Sequence, residues 1–220
     1  MFKGIIFDMD GVIIDSEPMY MEIDKKFFKD HDICFNDEEI ESYVGVNMRE
    51  VWGDILKRFN LEHKHTSKDM YEKQMDSFYK NMKDNEELTL MDGLEEWLKY
   101  FKEKKVKMII ASSNHDKVIK LIYDKFNLDN YMIGYVDGNT VENGKPAPDI
   151  FLKAAEKLEL NPKDCLVIED SQNGVKAAKS AGMKCVGFNN RESEFQSLDR
   201  ADIVIDHFNR ENLNKVINMD

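Results

Sequence analysis

Cysteine, proline, long apolar runs and excess positive charge are all in short supply in this chain. Its three cysteines, Cys34, Cys165 and Cys185, are odd in number and show no C-x-x-C spacing. That argues against a disulfide framework or a thiolate zinc site and fits a reducing compartment. Cys165 and Cys185 sit beside apolar, strand-like runs and read as buried bystanders. Four prolines in 220 residues leave no proline-rich segment, and neither repeats nor low-complexity stretches are present. No apolar run approaches the roughly 18 residues that a membrane helix needs. The N-terminal apolar run stops at Asp8, too short for a secretory signal. A cytoplasmic protein with no membrane partner is the expectation. The formal net charge is −12, which disfavours nucleic acid as a partner, since phosphate backbones attract basic surfaces.

What is present is a soluble, core-forming composition, 42% hydrophobic and 34% charged. The length suits one domain, or one core with an insertion. The opening run Phe2-Lys3-Gly4-Ile5-Ile6-Phe7 leads directly into Asp8-Met9-Asp10-Gly11. This places two carboxylates, at i and i+2, at the C-terminal edge of a buried strand, where open α/β sheets hold their ligands. Two acids so close repel unless a cation or a shared proton offsets them. Two solvated aspartates in a loop remain the alternative for D-x-D taken alone.

Residues 16–86 contain no convincing strand. Apolar residues recur there at helical spacing, as in Met19, Ile23, Phe27 and Phe28, then Val51, Ile55, Leu56 and Phe59, then Met70, Met75, Phe78 and Met82. Asn36 with Glu39 has the spacing of a capping box, and Ser67 with Met70 is a weaker helix start. Four helices are expected. From residue 92 the pattern alternates. Strands are expected at 106–111, 131–136, 166–168, 184–188 and 203–205. Helices are expected at 92–103, 115–126, 148–158, 171–182 and 209–217. Such alternation predicts a doubly wound parallel sheet with helices on both faces. The expected layout is a Rossmann-like α/β core from 1–15 and 87–220, with a four-helix domain inserted at 16–86.

Three further segments carry chemistry: Ile109-Ile110-Ala111-Ser112-Ser113-Asn114, Gly144-Lys145-Pro146-Ala147-Pro148-Asp149, and Leu166-Val167-Ile168-Glu169-Asp170-Ser171. Together with Asp8-Met9-Asp10-Gly11-Val12 they supply acids, a hydroxyl and a lysine, mostly at the ends of apolar runs. In this order they resemble the four motifs of the haloacid dehalogenase superfamily of phosphohydrolases, over nearly the whole chain. Asp15-Ser16-Glu17-Pro18 and the Gly144–Asp149 segment narrow the resemblance to the branch that contains β-phosphoglucomutase and small sugar-phosphate phosphatases.

The resemblance implies a phosphatase of small phosphorylated metabolites, with a helical cap on the core. It makes Asp8 a nucleophile that forms an aspartyl-phosphate. Asp10 becomes the acid that protonates the leaving group and later takes a proton from water. Ser112 and Lys145 would hold phosphoryl oxygens. The backbone N–H groups of Ser113 and Asn114, opening a helix, offer an anion site, although Ser112 or Asn114 acting as a simple N-cap is the plainer reading. Asp170 and Asp8, with the backbone carbonyl of Asp10, form an oxygen set suited to Mg²⁺. Glu169 is either a further ligand or a neighbouring acid.

In the helical insertion, Arg49 resembles a cap arginine that reaches a substrate phosphate, against the alternative of a solvated helix-start arginine. His63 and His65 form H-x-H in what reads as a polar loop. The methionine-rich stretch reads as core. The resemblance implies a histidine in the corresponding stretch of the β-phosphoglucomutases, and Asp15-Ser16-Glu17-Pro18-Met19-Tyr20 has none, which favours hydrolysis over phosphoryl transfer to sugar. A phospho-acceptor receiver module is the non-enzymatic alternative, and its motif order differs. A monomer is expected.

Overall fold

The computed structural model describes residues 2–41, 43, 48–189 and 197–219. The chain divides into two units, Met1–Asp15 with Thr89–Asp220, and Ser16–Leu88.

The first unit is built on six parallel strands: β1 (Gly4–Phe7), β2 (Lys107–Ser112), β3 (Tyr135–Asp137), β4 (Cys165–Glu169), β5 (Lys184–Phe188) and β6 (Ile203–Ile205). Their order across the sheet is β3-β2-β1-β4-β5-β6. β1 is central, and all four of its residues are buried. That is why its sequence is a continuous apolar run rather than an alternating one. The strand order reverses at β1. β2 flanks it on one side, with Phe7 opposite Ile110, and β4 on the other, with Phe7 opposite Ile168. A reversal of this kind opens a crevice beyond the C-terminal strand ends. β2 ends at Ser112 and β4 at Glu169, so the sequence delivers polar groups to that crevice from three adjacent strands.

On one face of the sheet, Ile6, Ile109, Val167 and Cys185 pack with Phe151, Ala154, Ala155 and Leu158 from one helix and Val175, Ala177 and Ala178 from another. The small residues let these helices lie close to the strands. The other face carries Ile5, Phe7, Ile110, Ile168 and Phe188, all buried. An aromatic cluster forms beside it, in which Phe208 lies 4.4 Å from Phe188 and 4.9 Å from Trp97 between ring centroids. Burying one such side chain contributes about 1.5–3 kcal/mol.

The strand expected at 131–136 is displaced. β3 begins at Tyr135, because a 3-10 turn at Leu128–Asn130 comes first and the N–H groups of Tyr131 and Met132 both donate back to Leu128 O.

The second unit holds four described helices, α1 (Glu17–Asp30), α2 (Asp37–Glu41), α3 (Met48–Arg58) and α4 (Ser67–Lys83). α4 packs against both α1 and α3. Asn36 and Glu39 do form the capping box: each side chain accepts from the other's backbone N–H, at 2.8 and 2.9 Å. The cap of α4 is one residue before the expected Ser67, with Thr66 Oγ1 accepting from Asp69 N. Met70, Met75 and Met82 are core residues. Trp52 is fully buried, and its indole N–H donates to Gln74 Oε1, while Gln74 Nε2 donates to Asp24 Oδ1. Tyr20 stacks edge-on against Phe78 at 4.6 Å. Among the described residues no helix is long and apolar enough to cross a membrane.

Candidate active site

Asp8 follows β1 directly. Its backbone N–H continues the sheet by donating to Ile168 O at 3.0 Å, which fixes its place beside β4. The chain then turns sharply. Met9 O accepts from Ile13 and Ile14, Gly11 N donates to Ile14 O, and Gly11 sits at φ 75°. A side chain at that left-handed position would be strained, so the glycine after Asp10 follows from the geometry of the turn.

Lys145 lies 137 positions from Asp8 in sequence, yet its Nζ donates to Asp8 Oδ1 at 2.5 Å and to Glu169 Oε1 at 2.7 Å. All three side chains are under one-tenth exposed. The ammonium also lies 5.0 Å from the ring centroid of Phe151, on α7 (Asp149–Leu158). Glu169 is held in turn by the start of α8 (Gln172–Ser180), where Ser171 N donates to its Oε2 at 2.7 Å and Ser171 Oγ to its Oε1 at 3.3 Å. Ser171 is also the N-cap of α8, accepting from Gly174 N.

Gly174 has a further role. A Cβ there would stand 1.7 Å from Glu169 Oε1 and 1.9 Å from its Cδ. The carboxylate therefore occupies the space a side chain at 174 would fill. Ser171, Gly174 and Phe151 are site residues that the sequence reading did not single out. The available signal was a glycine inside a helix, a cost that usually has a packing reason.

From β2, Ser112 Oγ lies 3.5 Å from Asp10 Oδ2, and Asn114 Nδ2 donates to the same oxygen at 3.2 Å. The backbone of Ser113 and Asn114, expected to open a helix, lies just before it. α6 spans Asp116–Lys125, with His115 as its N-cap, so it opens one residue after the expected start at 115. Asn114 N already donates to Ser112 Oγ at 3.1 Å.

The site thus brings together Asp8, Asp10, Ser112, Asn114, Lys145, Glu169 and Asp170, with Ser113 between Ser112 and Asn114 in the chain. Arg49 lies in the first turn of α3, but its side chain is outside the described part of the structure, as are residues 44–47 before it.

Negative charge exceeds positive charge here. Burial pushes the Asp8 carboxyl up to about 8. Lys145 pulls against this, and Glu169 and Asp10 add to it. Burial also drives Asp170 well above the carboxylate range, with Glu169 and Asp8 reinforcing it. Burial alone would lower Lys145, but the attraction of Asp8 and Glu169 outweighs it and holds the ammonium protonated. One lysine among four acids leaves room for another cation. Oxygens of Asp8, Glu169 and Asp170 lie within 4.8 Å of one another, the one such cluster of possible ligands among the described residues. An all-oxygen donor set fits a hard divalent cation. His63 and His65 are not part of any such cluster.

The sequence profile of the haloacid dehalogenase-like hydrolase family matches residues 5–188. The chain is 30% identical over 184 residues to the phosphorylated carbohydrates phosphatase of Thermotoga maritima, covering 83% of this chain and 82% of that protein. It is 34% identical over 211 residues to the β-phosphoglucomutase of Bacillus subtilis, covering 92% and 88%. The fold superposes on the crystal structure of β-phosphoglucomutase from Clostridium difficile with a TM-score of 0.82, at 24% identity, over 99% of this chain and 98% of that one. A parallel sheet that reverses at β1, with a buried lysine bridging the acids that end β1 and β4, is matched by profile and by relatives across most of its length, and the chain belongs to the haloacid dehalogenase-like hydrolases.

Proposed function

We propose that this hydrolase is a Mg²⁺-dependent phosphatase of small phosphorylated metabolites, with sugar phosphates as its substrate class. The observation that carries the reading is Lys145 Nζ held between Asp8 Oδ1 at 2.5 Å and Glu169 Oε1 at 2.7 Å, in a buried site with excess negative charge. Asp8 is the nucleophile. One of its oxygens bonds to phosphorus as the bond from phosphorus to the leaving oxygen breaks, giving an aspartyl-phosphate. Asp10 gives its proton to the leaving oxygen, then takes one from the water that attacks phosphorus and releases Asp8. Lys145 and the Ser112 hydroxyl hold phosphoryl oxygens, since phosphoryl transfer is mostly positioning and charge neutralisation. Asp8, Asp170 and the Asp10 carbonyl would hold the cation. Both Glu169 oxygens are already occupied by Lys145 and Ser171, which favours a supporting role for that acid. Bound Mg²⁺ supplies positive charge against the carboxylates and phosphoryl oxygens.

We assign substrate selection to the unit Ser16–Leu88, with Arg49 as its candidate substrate-binding residue. A cytoplasmic monomer is the form in which we expect it to act. The names of its relatives support the substrate class. The T. maritima protein is a phosphatase of phosphorylated carbohydrates, and an Escherichia coli relative, 25% identical, is a fructose-1-phosphate phosphatase.

The similarity to the B. subtilis mutase supports a second reading, transfer of the phosphoryl group between sugar positions. Tyr20, packed on Phe78 within the helical unit, supports hydrolysis, because no histidine stands there to couple transfer to the arrival of sugar. The test supplies β-glucose 1-phosphate with a bisphosphate primer and follows glucose 6-phosphate and free phosphate, with Mg²⁺ and then with excess EDTA. Phosphate should lead, and EDTA should abolish it. Isomerised sugar accumulating faster than phosphate would replace this reading with the mutase.

A further inference from the structure

Asp10 must be aimed to move protons, and the structure supplies an anchor for it that the four motifs do not include. Asn114 donates from Nδ2 to Asp10 Oδ2 at 3.2 Å. Its other amide atom, Oδ1, accepts from His115 N at 2.9 Å. A backbone N–H can only donate, so the atom facing His115 is the oxygen and the atom facing Asp10 is the nitrogen. The amide cannot be reversed without setting two donors against each other at one end and two acceptors at the other. His115 is itself fixed as the N-cap of α6, its Nδ1 accepting from Lys117 N. The backbone of Asn114 is fixed as well, with its N–H on Ser112 Oγ at 3.1 Å. A chain of bonds therefore runs from the start of α6 through one side-chain amide to the carboxylate of Asp10. Every residue in it belongs to the sheet-bearing unit.

We propose that Asn114 is the positioning residue for Asp10, and that this clamp keeps Asp10 aimed to activate water on the phospho-enzyme. The inference rests on the reading of Asp10 as acid and base given above. It departs from the sequence expectation that the backbone N–H of Asn114 offers an anion site, since that N–H is bonded to Ser112 Oγ and the side-chain amide is directed to Asp10. It also gives hydrolysis a structural basis in the core. An Asp10 held by Asn114 is in place whether or not a sugar is bound, so water can be deprotonated as soon as the leaving group departs. A base aimed only when sugar arrives would instead favour transfer to sugar.

The experiment is a double-mutant cycle on the full chain with a sugar phosphate as substrate. Asn114→Ala removes the clamp, and Asn114→Asp keeps its shape but sets a second carboxylate against Asp10. Each should lower kcat by about 10- to 100-fold, the effect of misaiming a proton-transfer group, with KM changed by less than about threefold. Rapid-quench measurements should show phospho-enzyme persisting longer than in the wild type. In the Asp10→Asn background the same changes should cost nothing further, because a residue acting only through Asp10 has no effect once Asp10 is lost. A raised KM with kcat intact would reassign Asn114 to substrate binding and overturn the clamp. An equal fractional loss in both backgrounds would also overturn it. Wild-type kcat in Asn114→Ala, with Asp10→Asn inactive, would sink the clamp and leave the phosphatase reading standing. Full activity in Asp10→Asn would sink both.

Discussion

Gly174→Ala is the substitution for which local and tertiary physics disagree in sign. Gly174 lies in the first turn of α8, and in a helix alanine is favoured over glycine by about 0.5–1 kcal/mol. Propensity alone therefore predicts a more stable protein. The structure predicts the reverse. The new Cβ would stand 1.7 Å from Glu169 Oε1, 1.9 Å from Cδ and 2.6 Å from Cγ, so most of that side chain must leave its seat. Glu169 is 1% exposed and has no free direction into water. Its departure breaks the 2.7 Å bond from Ser171 N and the 2.7 Å ion pair with Lys145. Overpacking of a dense site costs about 1–3 kcal/mol, and a lost hydrogen bond to a charged group about 1.5–3. The net expectation, after the propensity gain, is destabilisation by about 2–4 kcal/mol.

Gly53→Ala provides the control. Gly53 lies inside α3, where an added Cβ meets only Ser67 Oγ at an ordinary 3.5 Å, so a gain of about 0.5–1 kcal/mol is expected. The chain has two tryptophans. Trp52 is buried in the helical unit and Trp97 in the sheet-bearing unit, so each unit carries its own fluorescent reporter. Urea unfolding of single-tryptophan versions should show the Trp97 transition moving to lower urea in Gly174→Ala and the Trp52 transition moving to higher urea in Gly53→Ala. Phosphatase activity should fall steeply in the first variant and hold in the second. If Gly174→Ala unfolds at or above the wild-type midpoint with activity intact, the seat assigned to Glu169 is wrong.

Two further outcomes are expected. Asp8→Asn should fold, because Lys145 keeps Glu169 and one of several repelling acids is neutralised, yet turnover should fall by at least about 10³-fold, as for loss of a nucleophile; turnover within about tenfold of wild type, in a pure sample, would refute the aspartyl-phosphate. Asp24, pushed by burial to about 7 against the opposing hydrogen bond from Gln74, binds its proton more tightly folded than unfolded, so stability should decline as pH rises from about 4 to about 7, by on the order of a few kcal/mol; Asp24→Asn should flatten that decline and be the more stable form above pH 7, and parallel urea-midpoint profiles for the two proteins would contradict it.

The parts of this molecule legible in its sequence are those whose cause is local. β1 and β4 are apolar throughout because both faces of a parallel sheet are covered. Their abrupt ends at Asp8 and at Glu169-Asp170 marked the crevice without any knowledge of contacts. The capping box at Asn36 and Glu39 was readable because both partners lie within one turn. β3 was misplaced because Tyr131 and Met132 carry strand-like side chains, while their N–H groups are already bonded to a 3-10 turn that the side-chain pattern does not reveal.

The cap of α6 differs from the expected one for a related reason. Serine and asparagine are strong N-caps, and the sequence offers Ser112, Ser113 and Asn114 in a row. In the fold, Ser112 Oγ accepts from Asn114 N and the Asn114 amide joins Asp10 to His115. Capping therefore passes to His115, a residue that helix statistics would not select. A polar side chain recruited across 104 positions is lost to local structure, and the local rule fails where the site draws on it. Gly174 is the same case in reverse, because a glycine that weakens its own helix makes room for a carboxylate five residues earlier. Departures from local preference in α6 and α8 therefore fall beside Asp10 and Glu169, as expected where a fold gives up local consistency for a site. The helical unit offers no such departures to read at Trp52, Phe78 or Met82, where amphipathic spacing reports packing and nothing more.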